Sequence, residues 1–105
     1  MAALGVPFVG GTDAGVSVTP FDSLPRELEI LVAEVGLTPM QAIQAATANA
    51  ARAFGVDNTL GTLVRGQAAD LIAVDGDPSV QIGDVRSLRI VIKGGRTVVE
   101  NGIVL

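Results

Sequence analysis

The chain has 105 residues, enough for one domain with a modest core, because a chain of this size buries roughly 65% of the surface that its unfolded form exposes. Hydrophobic residues make up 49% of it, no apolar run reaches the length of a membrane span, and a net charge of -4 excludes a nucleic-acid or anionic-membrane surface. It has no cysteine and no histidine, which excludes disulfides, thiolate metal sites and a Ser-His hydrolase built from this chain alone, and we expect a cytoplasmic protein.

The first predicted element is a short buried strand over residues 6–10, with Pro7 near its start because proline cannot donate to a sheet ladder. The glycine-rich segment Gly10-Gly11-Thr12-Asp13-Ala14-Gly15 follows, and it lacks the lysine of a phosphate-binding loop. Asp13 therefore stands as a single carboxylate at the carboxyl end of a strand. This position suits a metal ligand or a general base, and it equally suits a turn or helix-cap residue.

The next predicted element is an amphipathic helix. Apolar residues at positions 24, 28, 31, 32 and 35 share one helical face, and Gly36 follows as a stop signal. The sequence therefore predicts a helix over residues 24–35.

A second helix is predicted from Thr38 to about Phe54. Thr38 and Gln41 form a capping-box pattern, and Gly55 is placed to end the helix in a left-handed conformation. The helix is rich in alanine, which buries little area per residue, so we expect its packing energy to come mainly from Met40, Ile43 and Phe54.

The last part of the chain reads as short strands separated by glycine-containing turns. Strands are predicted over residues 71–74, 88–92, 97–99 and 103–105. Gly94-Gly95 and Asn101-Gly102 are hairpin signals, because both dipeptides accept the positive φ of two-residue hairpin turns. We place a boundary near residues 56–60, which gives predicted domains 1–58 and 59–105.

Three carboxylates surround the first of these strands. Asp70, Asp75 and Asp77 lie within eight residues, but their spacing does not match an EF-hand loop and no bidentate glutamate follows at the required distance. We interpret them as turn residues at the ends of a strand.

Several motifs follow one another along nearly the whole chain. They are Gly11-Thr12-Asp13-Ala14-Gly15, Arg26-Glu27-Leu28-Glu29, Leu37-Thr38-Pro39-Met40-Gln41-Ala42, Ala45-Ala46-Thr47-Ala48-Asn49-Ala50-Ala51, Leu60-Gly61-Thr62-Leu63, Arg65-Gly66-Gln67-Ala68-Ala69-Asp70-Leu71, Asp75-Gly76-Asp77-Pro78 and Val91-Ile92-Lys93-Gly94-Gly95-Arg96. In this order they resemble the C-terminal portion of a metal-dependent amidohydrolase, and most closely the branch of imidazolonepropionase and the amidohydrolase-type Xaa-Pro dipeptidases.

This resemblance implies an α/β fold: the last strand and helices of a (β/α)8 barrel, with residues 6–10 as strand eight, beside the C-terminal strands of a small β-sandwich. In such enzymes the aspartate after strand eight contacts the water on the metal, acts as general base and later passes the proton to the departing nitrogen. Asp13 is the one residue here that matches this catalytic and metal-contacting position. The implied cofactor is a divalent metal, with zinc expected.

The family's metal ligands on the earlier strands are mostly histidines, which this sequence lacks. We therefore expect a truncated enzyme: the intact parent hydrolyses an amide or cyclic C–N bond of a small or dipeptide-like substrate, and the chain alone is inactive. Exposed strand edges predict self-association. The alternative is a stand-alone association or binding module in which Asp13 is only a turn residue.

Overall fold

The computed structural model describes residues 8–10 and 24–105. The helical half contains α1 (Leu24–Ile30), a π-helical segment (Leu31–Val35), α2 (Pro39–Ala46) and α3 (Ala48–Ala53). The strand half contains β1 (Leu71–Val74), a 3-10 helix (Ile82–Arg86), β2 (Leu88–Lys93), β3 (Arg96–Glu100) and β4 (Ile103–Val104). Among the described residues, no helix is both long enough and apolar enough to cross a bilayer.

The helix predicted over residues 24–35 is present, with its last five residues in π-helical geometry. It ends at Gly36, whose φ of 89° is left-handed, and the amide of Leu37 donates to the carbonyl of Leu31 at 3.1 Å. The Gly36 amide donates to the same carbonyl, so Leu31 accepts both bonds that close the helix end. The stop signal read from the sequence is confirmed.

The capping box that begins the second helix is also confirmed. The Thr38 amide donates to Gln41 Oε1 at 2.9 Å, and the Gln41 amide donates to Thr38 Oγ1 at 3.2 Å. Pro39 occupies the first helical position, where a missing N–H is harmless.

The second helix is interrupted at Thr47, which the sequence did not predict. Thr47 has φ -122° and ψ -89°, and its hydroxyl donates to the carbonyl of Ile43 at 2.8 Å. Hydroxyl side chains that bond the preceding turn compete with the backbone ladder and bend helices. The predicted single helix is therefore two helices, α2 and α3, although the chain does turn left-handed at Gly55, with φ 72°.

The strand half is a four-stranded antiparallel sheet with the order β1-β2-β3-β4. Leu71 pairs with Ile92, Val91 with Val99, and Val99 with Val104. Both predicted hairpin turns are confirmed, because φ is positive at both turn residues of each: 58° and 79° at Gly94 and Gly95, and 50° and 80° at Asn101 and Gly102.

The hydrophobic core lies in the helical half and is closed by one residue of the 3-10 helix. Its buried members are Leu28, Leu31, Leu37, Ala42, Ala45 and Ile82. The expectation for the second helix is wrong in part: Ile43 packs against this core, whereas Phe54 is 81% exposed and Met40 is 46% exposed.

The strand predicted over residues 6–10 is absent from its three described residues, Phe8 to Gly10. The Gly10 amide bonds to a helix carbonyl rather than to a neighbouring strand. A strand is defined by its ladder of bonds to a second strand, and no strand of the described sheet pairs with this segment.

Candidate functional site

Asp13, the predicted catalytic and metal-contacting residue, lies outside the described residues. The nearest described part of the chain is Phe8 to Gly10, which ends three residues before Asp13. Phe8 to Gly10 are therefore the described residues that precede the candidate base most closely along the chain.

Two hydrogen bonds join this segment to the second helical pair. The Gly10 amide donates to the carbonyl of Ala45 at 2.8 Å, and Asn49 Nδ2 donates to the carbonyl of Phe8 at 3.1 Å. Gly10 lies against Ala46 so closely that an added Cβ would be 3.3 Å from the Ala46 Cα. Phe8 itself packs against the hydrophobic core. The segment is thus fixed by backbone, side chain and core contacts together.

The amide of Asn49 has a defined orientation. Arg52 Nη2 donates to Asn49 Oδ1 at 2.6 Å. Because a guanidinium group only donates, the oxygen of the amide faces Arg52 and its nitrogen faces the Phe8 carbonyl. In the sequence, Asn49 is marked only as part of an alanine-rich motif. Its signal was an asparagine within a run of alanines, where asparagine is a poor helix former.

Two of the three carboxylates interpreted as turn residues, Asp70 and Asp77, accept hydrogen bonds within turns. Asp70 accepts from the Gly94 amide at 2.8 Å and from Lys93 Nζ at 2.9 Å, and these two bonds, the first being the stronger cause, lower the pKa of Asp70. The hydroxyl and the amide of Ser79 both donate to Asp77 and lower the pKa of that carboxyl. Both groups are therefore held in the ionised form by the turns that they close.

Two further ion pairs lie on the surface. Arg89 Nε donates to Asp75 at 2.7 Å beside the sheet, and Arg86 Nε donates to Glu29 at 2.8 Å, which connects the 3-10 helix to α1. Exposed pairs of this kind contribute up to about 1 kcal/mol each. They join elements of the fold rather than form a reactive centre.

No group of three or more His, Cys, Asp or Glu side chains within residues 8–10 and 24–105 is placed to hold a metal ion. The donor set of this part of the chain is carboxylate only, and each carboxylate described above already has a cationic or amide partner. These residues alone do not fit the divalent metal that the resemblance implies.

An apolar groove lies between the helical half and the strand half. It has a volume of about 690 Å³, and its apolar lining includes Met40, Ile43, Phe54, Leu63 and Ile72. Among the residues that the structure describes, Phe8 to Gly10 are not part of its wall, and Asp70 is the one carboxylate that is.

Comparison with known proteins assigns the chain to a family. The sequence model of the Amidohydrolase family matches residues 1–102. The chain belongs to the amidohydrolase family. The resemblance drawn from the motifs is thereby confirmed, including its branch, since both imidazolonepropionases and Xaa-Pro dipeptidases are among its relatives.

The imidazolonepropionase of Geobacillus kaustophilus is 38% identical over 101 residues, which cover 93% of this chain and 24% of that protein. A structure described as a prolidase from Bifidobacterium longum superimposes with a TM-score of 0.89 and 36% identity over 96% of this chain and 25% of its own. A Xaa-Pro dipeptidase with bound methionine in the active site gives a TM-score of 0.85 and 36% identity over 94% of this chain and 23% of its own. The chain spans about a quarter of the length of these relatives.

These likenesses establish an α/β hydrolase-type fold for the chain. The superpositions extend over 96% and 94% of the chain, so they include most of the helices and of the small antiparallel sheet described above.

Proposed function

We propose that this chain is the C-terminal part of a metal-dependent amidohydrolase that cleaves amide or cyclic C–N bonds, with Asp13 as its general base. In this proposal residues 1–58 form the end of a (β/α)8 barrel and residues 59–105 form the closing strands of a small β-sandwich. The intact enzyme acts on a small or dipeptide-like amide in the cytoplasm.

The observation that carries the proposal is the superposition, with TM-scores of 0.89 and 0.85, on a prolidase and a Xaa-Pro dipeptidase over almost the full chain. The identity of 38% to an imidazolonepropionase supports the same class of reaction from the sequence. These relatives are named for hydrolysis of different bonds, so the proposal is limited to the C–N bond class that they share.

Asp13 is proposed as the base because a carboxylate in this position can accept the proton of an attacking water. The water oxygen forms a bond to the carbonyl carbon, the C–N bond then breaks, and the same carboxyl group returns the proton to the departing nitrogen. The tie between Phe8 to Gly10 and the helices supports this role, since it fixes the chain three residues before Asp13.

The divalent metal belongs to the proposal for the intact enzyme. When bound, such an ion polarises the substrate carbonyl and makes water more acidic. The described residues of this chain do not make a site for it on their own, so we place its other ligands in the remaining three quarters of the parent.

The experiment replaces the matching quarter of the Geobacillus kaustophilus imidazolonepropionase by this chain and measures steady-state hydrolysis. Asp13→Asn is expected to lower kcat by about 10²- to 10⁴-fold, the usual contribution of a general base. Asp57→Asn, at an exposed carboxylate, is the matched control and should leave kcat unchanged. A chimera that keeps its full kcat with Asp13→Asn would refute the assignment of the base.

Removal of metal is a second arm of the same experiment. Dialysis against a chelator should abolish hydrolysis by the chimera, and an added divalent ion should restore it. Hydrolysis that survives metal removal would contradict the metal dependence while leaving the family assignment intact.

A further inference from the structure

Two hydrogen bonds join Phe8 and Gly10 to the helices, one to a backbone carbonyl and one from a side chain. The Gly10 amide bonds to Ala45, whose carbonyl lies among the last four of α2 and therefore has no partner within that helix. The Phe8 carbonyl accepts instead from a side chain, Asn49 of α3. The interruption at Thr47 separates the two anchors, because it ends α2 and begins α3 between them.

We propose that Asn49 is a positioning residue: through its bond to the Phe8 carbonyl it sets where the chain leaves the helices toward Asp13. The proposal rests on the proposed function, because Asp13 is the residue that this positioning serves. No described contact joins Asn49 to a substrate or to the base. It acts through the backbone of Phe8 to Gly10.

The network around Asn49 is directional, which distinguishes it from ordinary packing. Arg52 holds the amide oxygen, so the amide nitrogen is committed to Phe8. The side chain is partly buried, and a competing water would have to displace both partners. An alanine at position 49 would leave the Phe8 carbonyl without its partner.

Asn49→Asp separates positioning from helix stability. The aspartate has nearly the same shape and gains a charged pair with Arg52 three residues along α3. It presents an oxygen rather than an N–H to the Phe8 carbonyl, so the bond to the segment is lost. Asn58→Asp is the matched control, because it makes the same chemical change at an exposed residue outside the helices.

The first readout is hydrogen exchange of the Gly10 amide, measured by NMR on the 105-residue chain. We expect exchange about tenfold faster with Asn49→Asp, since the loss of one anchor lets the second open locally. Asn58→Asp should leave it unchanged. Unchanged Gly10 exchange in a folded Asn49→Asp chain would overturn the proposal, whatever the activity of the enzyme.

The second readout is the division between kcat and KM in the chimera described above. Misplacement of the base should lower kcat by about 10- to 100-fold with KM nearly constant, whereas a general loss of stability would lower the amount of active enzyme and leave the KM and kcat of the folded fraction unchanged. If Gly10 exchange responds but kcat does not, positioning of the base is refuted. If Asp13→Asn is also without effect, the proposed function fails separately.

Arg52→Met keeps the test decisive should Asn49→Asp fail to fold. This variant frees the amide of Asn49 to rotate without removing it, so Gly10 exchange should be faster than in the unchanged chain, by less than about tenfold. No change in exchange with Arg52→Met would then count against the proposal.

Discussion

The helical half and the strand half of this chain are each stabilised by a different kind of interaction. Within the described part of the chain, six of the seven buried hydrophobic residues lie in the helices and the turn between them, while no residue of the four strands is buried. The sheet depends on its backbone ladder and on polar contacts such as Asp70 with Gly94. The helical half is thus stabilised by burial, and the strand half by hydrogen bonds with its side chains largely uncovered.

The first test of this contrast removes a core side chain. Leu28 is 6% exposed at the centre of the core cluster, so Leu28→Ala should lower the free energy of unfolding by about 2–5 kcal/mol. Leu63→Ala makes the same change at a side chain that is 80% exposed and should stay within about 0.5 kcal/mol. Urea denaturation measures both, and equal losses would contradict the contrast.

The second test concerns the loop that connects the halves. Gly61 has φ 107°, and a Cβ there would lie 2.5 Å from the Ala51 Cβ. Gly61→Ala should therefore destabilise the chain by about 1–3 kcal/mol. Gly66, with φ 95° and no atom within 4 Å of an added Cβ, is the control for backbone strain alone. The additional loss of unfolding free energy in Gly61→Ala, relative to Gly66→Ala, measures the cost of the steric clash with Ala51 of α3. Equal losses would show that the close contact between the loop and α3 does not limit stability.

The third test asks whether the uncovered strand half associates. Val104 of β4 is 79% exposed at an edge of the sheet, and unpaired edges offer a template for another strand. We expect the chain to self-associate in a concentration-dependent way, and Val104→Lys to reduce this association. Sedimentation velocity is the measurement, with Val80→Lys, at a 76% exposed residue outside the sheet, as the control. A monomer at all concentrations would refute the expectation.

The smallest expected effect concerns Asp70. Its folded-state pKa is lowered, first by the Gly94 amide and then by Lys93, so the stability that it contributes is present at neutral pH and is lost as the pH falls through that lowered pKa. Asp70→Asn should lower the melting temperature at pH 7, and the difference should shrink below the ordinary carboxyl pKa of about 3.9. Thermal melts at pH 7 and well below that value measure this. An equal difference in melting temperature at both pH values would contradict an ionic origin for the stability that Asp70 contributes.

Local signals in the sequence were sufficient for the turns and helix ends. The capping box at Thr38 and the two hairpins are set by residues within four positions of one another, so the pattern alone specifies them. The same holds for the helix over residues 24–35, whose apolar period matches its buried face. These predictions succeeded because they required no knowledge of distant contacts.

Predictions that depended on distant contacts were less successful. The interruption at Thr47 results from a competition between its hydroxyl and the helix ladder that the alanine-rich pattern does not reveal. Phe54 is exposed, whereas Ile82, 28 residues further along the chain, is a buried member of the core. The partner of the Asn49 amide is Phe8, 41 residues earlier, and no local pattern indicates this contact. Asp13 was predicted from the motif alone, and its role stays a prediction.

The contact between Glu29 and Arg86 joins residues 57 positions apart, next to the place where Ile82 enters the helical core. A protease that cut the exposed connection at Asn58 would therefore leave two peptides that still bind each other through this ion pair and through the packing of Ile82 in the core. Such a nicked molecule should elute from a size-exclusion column as one peak, and as two peaks once a denaturant is added.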